Sequence, residues 1–88
     1  MKLKGEFILR QVMDNIVVIP VGQTALRLNG MIMLNEVSRL IWQQLTDGAT
    51  LSEITGAVTE AFDVSAQEAE GDILEFTEKL RQADLLEE

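Results

Sequence analysis

Residues 28–36 read LNGMIMLNE. Four consecutive apolar residues, Met31-Ile32-Met33-Leu34, stand between two asparagines. A strand with one wet face alternates apolar and polar residues, and this one does not. Asn29-Gly30 ahead of it is the strongest hairpin signal in the chain, because both residues tolerate the positive φ of a type I′ turn. That places Met31–Leu34 as a return strand, with the short extended piece Ala25–Leu28 (ALRL) as the arm before it. Behind it, Asn35 is an N-cap and Glu36 suits the first turn of a helix. Strand period ends and helix period begins here.

Towards the N-terminus the pattern is that of strands. EFILRQVM (6–13) and IVVIPV (16–21) flank Asp14-Asn15, two β-rich runs around a turn dipeptide. Phe7 and Leu9 fall on one face, and Ile8 and Val12 on the other beside Arg10. Pro20 has no ladder donor and belongs at a strand end or edge. Gly22-Gln23-Thr24 reads as the next turn.

Towards the C-terminus three helical stripes follow. Val37, Leu40, Ile41 and Leu45, flanked by Trp42, form the first, which Gly48 stops. Thr50 and Glu53 make a capping box for the second, whose stripe is Leu51, Ile54, Ala57, Val58, Ala61 and Phe62. Gly56 inside it costs about 1 kcal/mol against alanine, so close packing is a candidate reason for it. Ser65 and Glu68 repeat the box for the third, with Ala69, Ile73, Phe76, Leu80 and Ala83 as its apolar positions. Leu85 and Leu86 close the core. Strands then helices is an α+β order: a small antiparallel β-sheet over about 6–34, then three α-helices over about 36–47, 51–62 and 66–83. Residues 1–88 are one domain, with no repeat, linker or low-complexity segment.

Composition removes several function classes. The 88 residues include no cysteine and no histidine, so thiolate zinc sites, disulfide scaffolds and Cys or His nucleophile relays are excluded. Absent cysteine fits a cytoplasmic protein. The start MKLKGEFILR lacks the apolar run and cleavage site of a signal peptide, and no run is long enough to span a membrane. Net charge is −8 and lies wholly in one third of the chain. Residues 1–59 carry five acids and five bases, whereas residues 60–88 carry ten acids against Lys79 and Arg81. Such a surface repels phosphate backbones, so nucleic acid is disfavoured as a partner.

The remaining chemistry is thin. Carboxylates at helical spacing (Glu68 with Asp72, or Glu75 beside Lys79) read as a solvated helix face. A pair for acid–base work needs a pocket that shifts one pKa. No calcium-loop pattern is present, and Lys2 with Lys4 is too few for a polybasic arm. A helix-turn-helix reading would send the last helix into the major groove with Glu70, Asp72 and Glu75 facing phosphate. The Met-Ile-Met-Leu strand is the better lead. It reads either as a strand buried on both faces or as an edge strand with free N–H and C=O groups. Natural edges are blunted with charge or proline, and Met31–Leu34 has neither. Methionine accepts varied apolar neighbours, and an added peptide strand would find main-chain bonds there.

The residues that carry a family likeness now stand together. They are Leu34-Asn35 with Glu36, the pair Ile41-Trp42, a turn with Asp47, Gly48 and Thr50, and the junction Phe62-Asp63-Val64. A last helix bearing Asp72, Leu74, Phe76, Leu80, Leu85 and Leu86 completes the pattern. In this order the chain resembles the PqqD-like family of pyrroloquinoline quinone synthesis and the related RiPP recognition elements, RiPPs being ribosomally made, post-translationally modified peptides. The resemblance covers nearly the whole chain. It implies a winged-helix-like fold of three strands and three helices, no enzymatic activity and no cofactor. It also implies capture of the leader segment of a precursor peptide as an added β-strand. A modifying enzyme, commonly a radical S-adenosylmethionine (radical SAM) protein, would then receive it. The peptide-binding groove so implied has Met31, Ile32, Met33 and Leu34 on one wall and Ile73, Phe76, Thr77 and Leu80 on the other. The acidic last helix suggests a leader with some Lys or Arg. An open edge also invites a homodimer. The alternative is a winged-helix-type regulator or another protein–protein adaptor.

Overall fold

A computed structural model describes residues 1–28 and 30–87. The elements in chain order are β1 (Lys2–Leu3), β2 (Phe7–Val12), β3 (Asn15–Pro20) and α1 (Gly22–Arg27). They continue with β4 (Ile32–Leu34), α2 (Glu36–Asp47), α3 (Leu51–Ala61), α4 (Ala66–Gln82) and β5 (Leu86–Glu87). This is an α+β fold with a three-stranded antiparallel sheet ordered β2-β3-β4.

Alternation decides which face of the sheet is dry. Ile16 and Val18 of β3 are buried, and their cross-strand partners Leu34 and Ile32 lie on the same face. Phe7 and Leu9 of β2 join them against the core, whereas Ile8 and Val12 are exposed beside Arg10. The ring of Phe7 meets Trp42 of α2 edge to face, with centroids 5.1 Å apart, so sheet and helix layers lock at one aromatic contact. From the helices, Ile41, Leu45, Ile54, Val58, Ala69, Ile73 and Leu80 complete the core.

The helix starts follow their capping chemistry. Asn35 accepts from the Ser38 N–H at 2.8 Å, and the Ser38 hydroxyl accepts from the Asn35 N–H. Thr50 and Glu53 form the reciprocal box on α3. The Thr50 N–H, and then the Thr50 hydroxyl, hold the Glu53 carboxyl below its ordinary pKa. On α4 the Ser65 hydroxyl accepts from the Glu68 N–H at 3.1 Å. At the other end of α4, the Leu85 N–H bonds the Leu80 carbonyl and the Asp84 N–H bonds that of Arg81. That is a Schellman ending, with Asp84 at φ +60° in the position glycine usually takes.

Several sequence expectations need correction. The β2–β3 turn is Met13-Asp14, one residue earlier than expected, and Asn15 already pairs with Val12. Ala25–Leu28 is not an extended arm: Gly22–Arg27 is a helical segment, so the described residues hold four helices. Thr24 fixes α1, its buried hydroxyl accepting from the Glu6 N–H at 2.7 Å. Of the expected hairpin turn, Asn29 lies outside the described residues. The strand after it pairs with β3, not with Ala25–Leu28. Gly56 is not a close-packing position, since a Cβ there would meet nothing within 4 Å. One pairing has no precursor in the sequence pattern. β1 and β5 join antiparallel, and the Lys4 N–H bonds the Leu85 carbonyl at 2.8 Å, tying the two ends of the described chain together.

Candidate functional site

β4 is an outer strand of its sheet, so one side of its backbone has no strand partner among the described residues. The register shows which groups those are. A two-residue loop between Val12 and Asn15 makes that pair hydrogen-bonded, because the loop is a β-turn. Pairs then alternate, and Asn15, Val17 and Ile19 direct their backbone groups at β2. Pro20, which has no N–H, duly falls at a position that gives β2 nothing. Ile16 and Val18 therefore face β4 and bond Leu34 and Ile32, leaving the N–H and C=O of Met33 pointing out of the sheet. Met33 itself is 67% exposed.

Beside this edge runs a groove of about 540 Å³. Its floor is apolar, built from Leu28, Ile32, Val37, Ile41, Leu80 and Leu85. Asn35 and Ser38, already bonded to each other at the start of α2, border it on one side. Along the other runs α4 from Asp72 to Ala83, with Phe76 half-buried at the lip. Three charged side chains line it: Asp72, Glu75 and Lys79. Lys79 Nζ lies 3.7 Å from Glu75 Oε1, whereas Asp72 makes no ion pair among the described residues. Behind the groove Asp84 takes a hydrogen bond from Lys4 at 2.7 Å and an ion pair from Arg27 at 3.3 Å. The Lys4 bond is the main cause of its lowered pKa.

The eight residues of the sequence-derived groove divide evenly. Ile32, Met33, Phe76 and Leu80 line it together. Leu34, Ile73 and Thr77 are buried in the core, and Met31 is 66% exposed outside the groove lining. Thr77 is buried without penalty because its hydroxyl donates to the Leu74 carbonyl one turn back. That bond lets a polar residue occupy the core stripe, while Phe76 beside it is half-buried, packed against the core and lining the groove. Leu28, Val37, Asp72, Glu75 and Lys79 are among the groove residues outside the sequence-derived set. Of these five, Asp72, Glu75 and Lys79 carried a signal, as charges on the last helix.

Among the described residues no three His, Cys, Asp or Glu side chains converge to hold a metal. No helix among them is long and apolar enough to cross a membrane. An open backbone edge over an apolar trough can hold an extended chain.

Fold and groove together define a small α+β domain in which the outer strand β4 runs beside an apolar groove. The chain belongs to the PqqD family, whose description is coenzyme PQQ synthesis protein D and whose family model matches residues 16–86. Among solved structures, it is similar to TbiB1 in complex with the TbiA(beta) leader peptide, at TM-score 0.75 and 24% identity over 99% of this chain and 95% of that one. It is also similar to lasso peptide synthetase B1 complexed with the leader peptide, at TM-score 0.72 and 23% identity over 96% and 93%. At these identities the likeness is one of fold. Comparison with curated proteins finds no match.

Proposed function

We propose that this domain is a non-catalytic peptide carrier. It captures the leader segment of a ribosomally made precursor as a strand added to β4 and presents it to a modifying enzyme, of radical SAM or other peptide-modifying type. The observation that carries the reading is the outward N–H and C=O of Met33 beside an apolar groove of about 540 Å³. Main-chain bonds to that edge supply affinity independent of sequence, and side chains dropped into the trough supply selection. Support comes also from the two structures of similar fold, each of which was solved with a leader peptide. Without peptide, the same edge is open to a second copy of the chain.

An amide NMR titration with the leader of any short precursor peptide found encoded beside the gene tests this. Shifts centred on Ile32–Leu34 and on the Asp72–Ala83 face of α4 are the expected result. Binding whose shifts fall elsewhere, or no shift with peptide in large excess, would overturn it.

A further inference from the structure

We infer that the groove selects a strand carrying a cationic side chain, and that Asp72 is the residue that reads it. The inference rests on the strand-addition reading above and adds the chemistry of the segment that fits.

The wall supplied by α4 runs from Asp72 to Ala83, about 16 Å at 1.5 Å per residue. A β-strand covers that span in about five residues, of which alternate ones point the same way. On the wall, Leu80, Phe76 and Asp72 succeed one another at one-turn intervals of about 6 Å. Inward side chains of a strand recur at about 6.7 Å, nearly the same repeat. A strand lying along α4 therefore sets two successive inward side chains against Leu80 and Phe76 and a third against Asp72. The first two positions are apolar by the character of the trough. The third meets a carboxylate.

Charge accounting singles out that carboxylate. Glu75 is answered within the chain by Lys79, and the opposite charges of that exposed pair leave the middle of the wall nearly neutral. Asp72 is answered by no cation among the described residues. Glu68, one turn further along α4, is exposed and adds potential of the same sign. A Lys or Arg in the added strand supplies the missing partner, two residues beyond an apolar anchor. A Glu or Asp there meets uncompensated repulsion.

The probe is a random library of mRNA-displayed peptides, each about twelve residues long so as to exceed the wall at about 3.3 Å per residue. It is selected on the wild-type protein, on Asp72→Asn and on Asp72→Lys. Asp72 is exposed and makes no ion pair among the described residues, so both variants should keep the fold. Expected is enrichment of apolar-x-apolar-x-Lys/Arg sequences on the wild type. The Lys/Arg preference disappears on Asp72→Asn and turns acidic on Asp72→Lys. Individual enriched peptides bind Asp72→Asn about three- to tenfold more weakly, the size of an exposed to partly shielded pair. Peptides that shift the Ile32–Leu34 amides with no basic preference, or with one that survives Asp72→Asn, overturn the selectivity and leave strand addition standing. A selection that enriches nothing, or whose peptides shift other amides, overturns strand addition and the inference together.

Discussion

Lys4 Nζ lies 2.7 Å from Oδ1 of Asp84, a contact that bridges 80 positions of sequence. It joins the chain just after β1 to the end of α4, and Arg27 of α1 reaches the other oxygen of the same carboxylate. Three segments that border or back the groove thus meet at one side chain. Asp84 also holds φ +60°, which asparagine tolerates nearly as well, so Asp84→Asn isolates the charge from the backbone. Because the folded pKa is depressed, the stabilisation is complete above the ordinary value of 3.8 and is lost as pH falls through the lower folded value. The variant should melt a little below wild type at neutral pH. The two melting curves should converge well below pH 3.8, and also at neutral pH in about 1 M salt. A gap unchanged by both acid and salt would mean the ion pair contributes nothing.

Two glycines lie inside helices with empty space beside them. A Cβ at Gly56 of α3 or Gly71 of α4 meets nothing within 4 Å, and neither residue has positive φ. Gly56→Ala and Gly71→Ala should each stabilise by about 1 kcal/mol, measured by urea unfolding. Because neither lines the groove, peptide affinity should stay unchanged.

How much of this was legible in the sequence follows from which forces are local. Caps and stripes are local, so Asn35 announces its helix together with Glu36, and Thr50 and Ser65 announce theirs with the glutamates three residues on. The strand edge at Met31–Leu34 was visible as an unblunted apolar run. What the pattern hid is decided at a distance. Gly22–Arg27 is only six residues, too short for a periodic signal, and it is fixed by the Glu6–Thr24 bond. The turn sits on Met13 at φ +58° because the pairing of Phe7–Val12 with β3 sets the register, overriding the better turn chemistry of Asp14-Asn15. The α4 face was misjudged by the angle between Phe76 and Thr77. Hydrophobicity favours Phe76 as core, whereas the in-helix bond of the Thr77 hydroxyl lets threonine take that place.

That angle yields a test that separates core from groove. Ile73 is fully buried, whereas Phe76 lines the groove half-buried. Ile73→Ala should cost about 2–5 kcal/mol of stability by leaving a cavity. Phe76→Ala should cost less stability and weaken peptide binding by far more than any loss of fold explains. Equal effects of the two on both measurements would place Phe76 in the core with Ile73.

The backbone edge itself is tested at Met33. Proline there removes the N–H that points out of the sheet and leaves the bonds of Ile32 and Leu34 to β3 in place. Proline is tolerated at edge positions whose N–H faces away, and it asks the preceding residue to be extended, as Ile32 already is. Met33→Pro should therefore fold with near wild-type stability. Peptide binding should fall by tenfold or more, since the incoming carbonyl loses its donor at about 1–3 kcal/mol. Met33→Ala removes the side chain and keeps the N–H, so the peptide should bind it far more tightly than it binds Met33→Pro. Full affinity in a folded Met33→Pro protein would show that the added strand takes no bond from this N–H. Loss in Met33→Ala as large as in Met33→Pro would move recognition from the backbone to the methionine side chain.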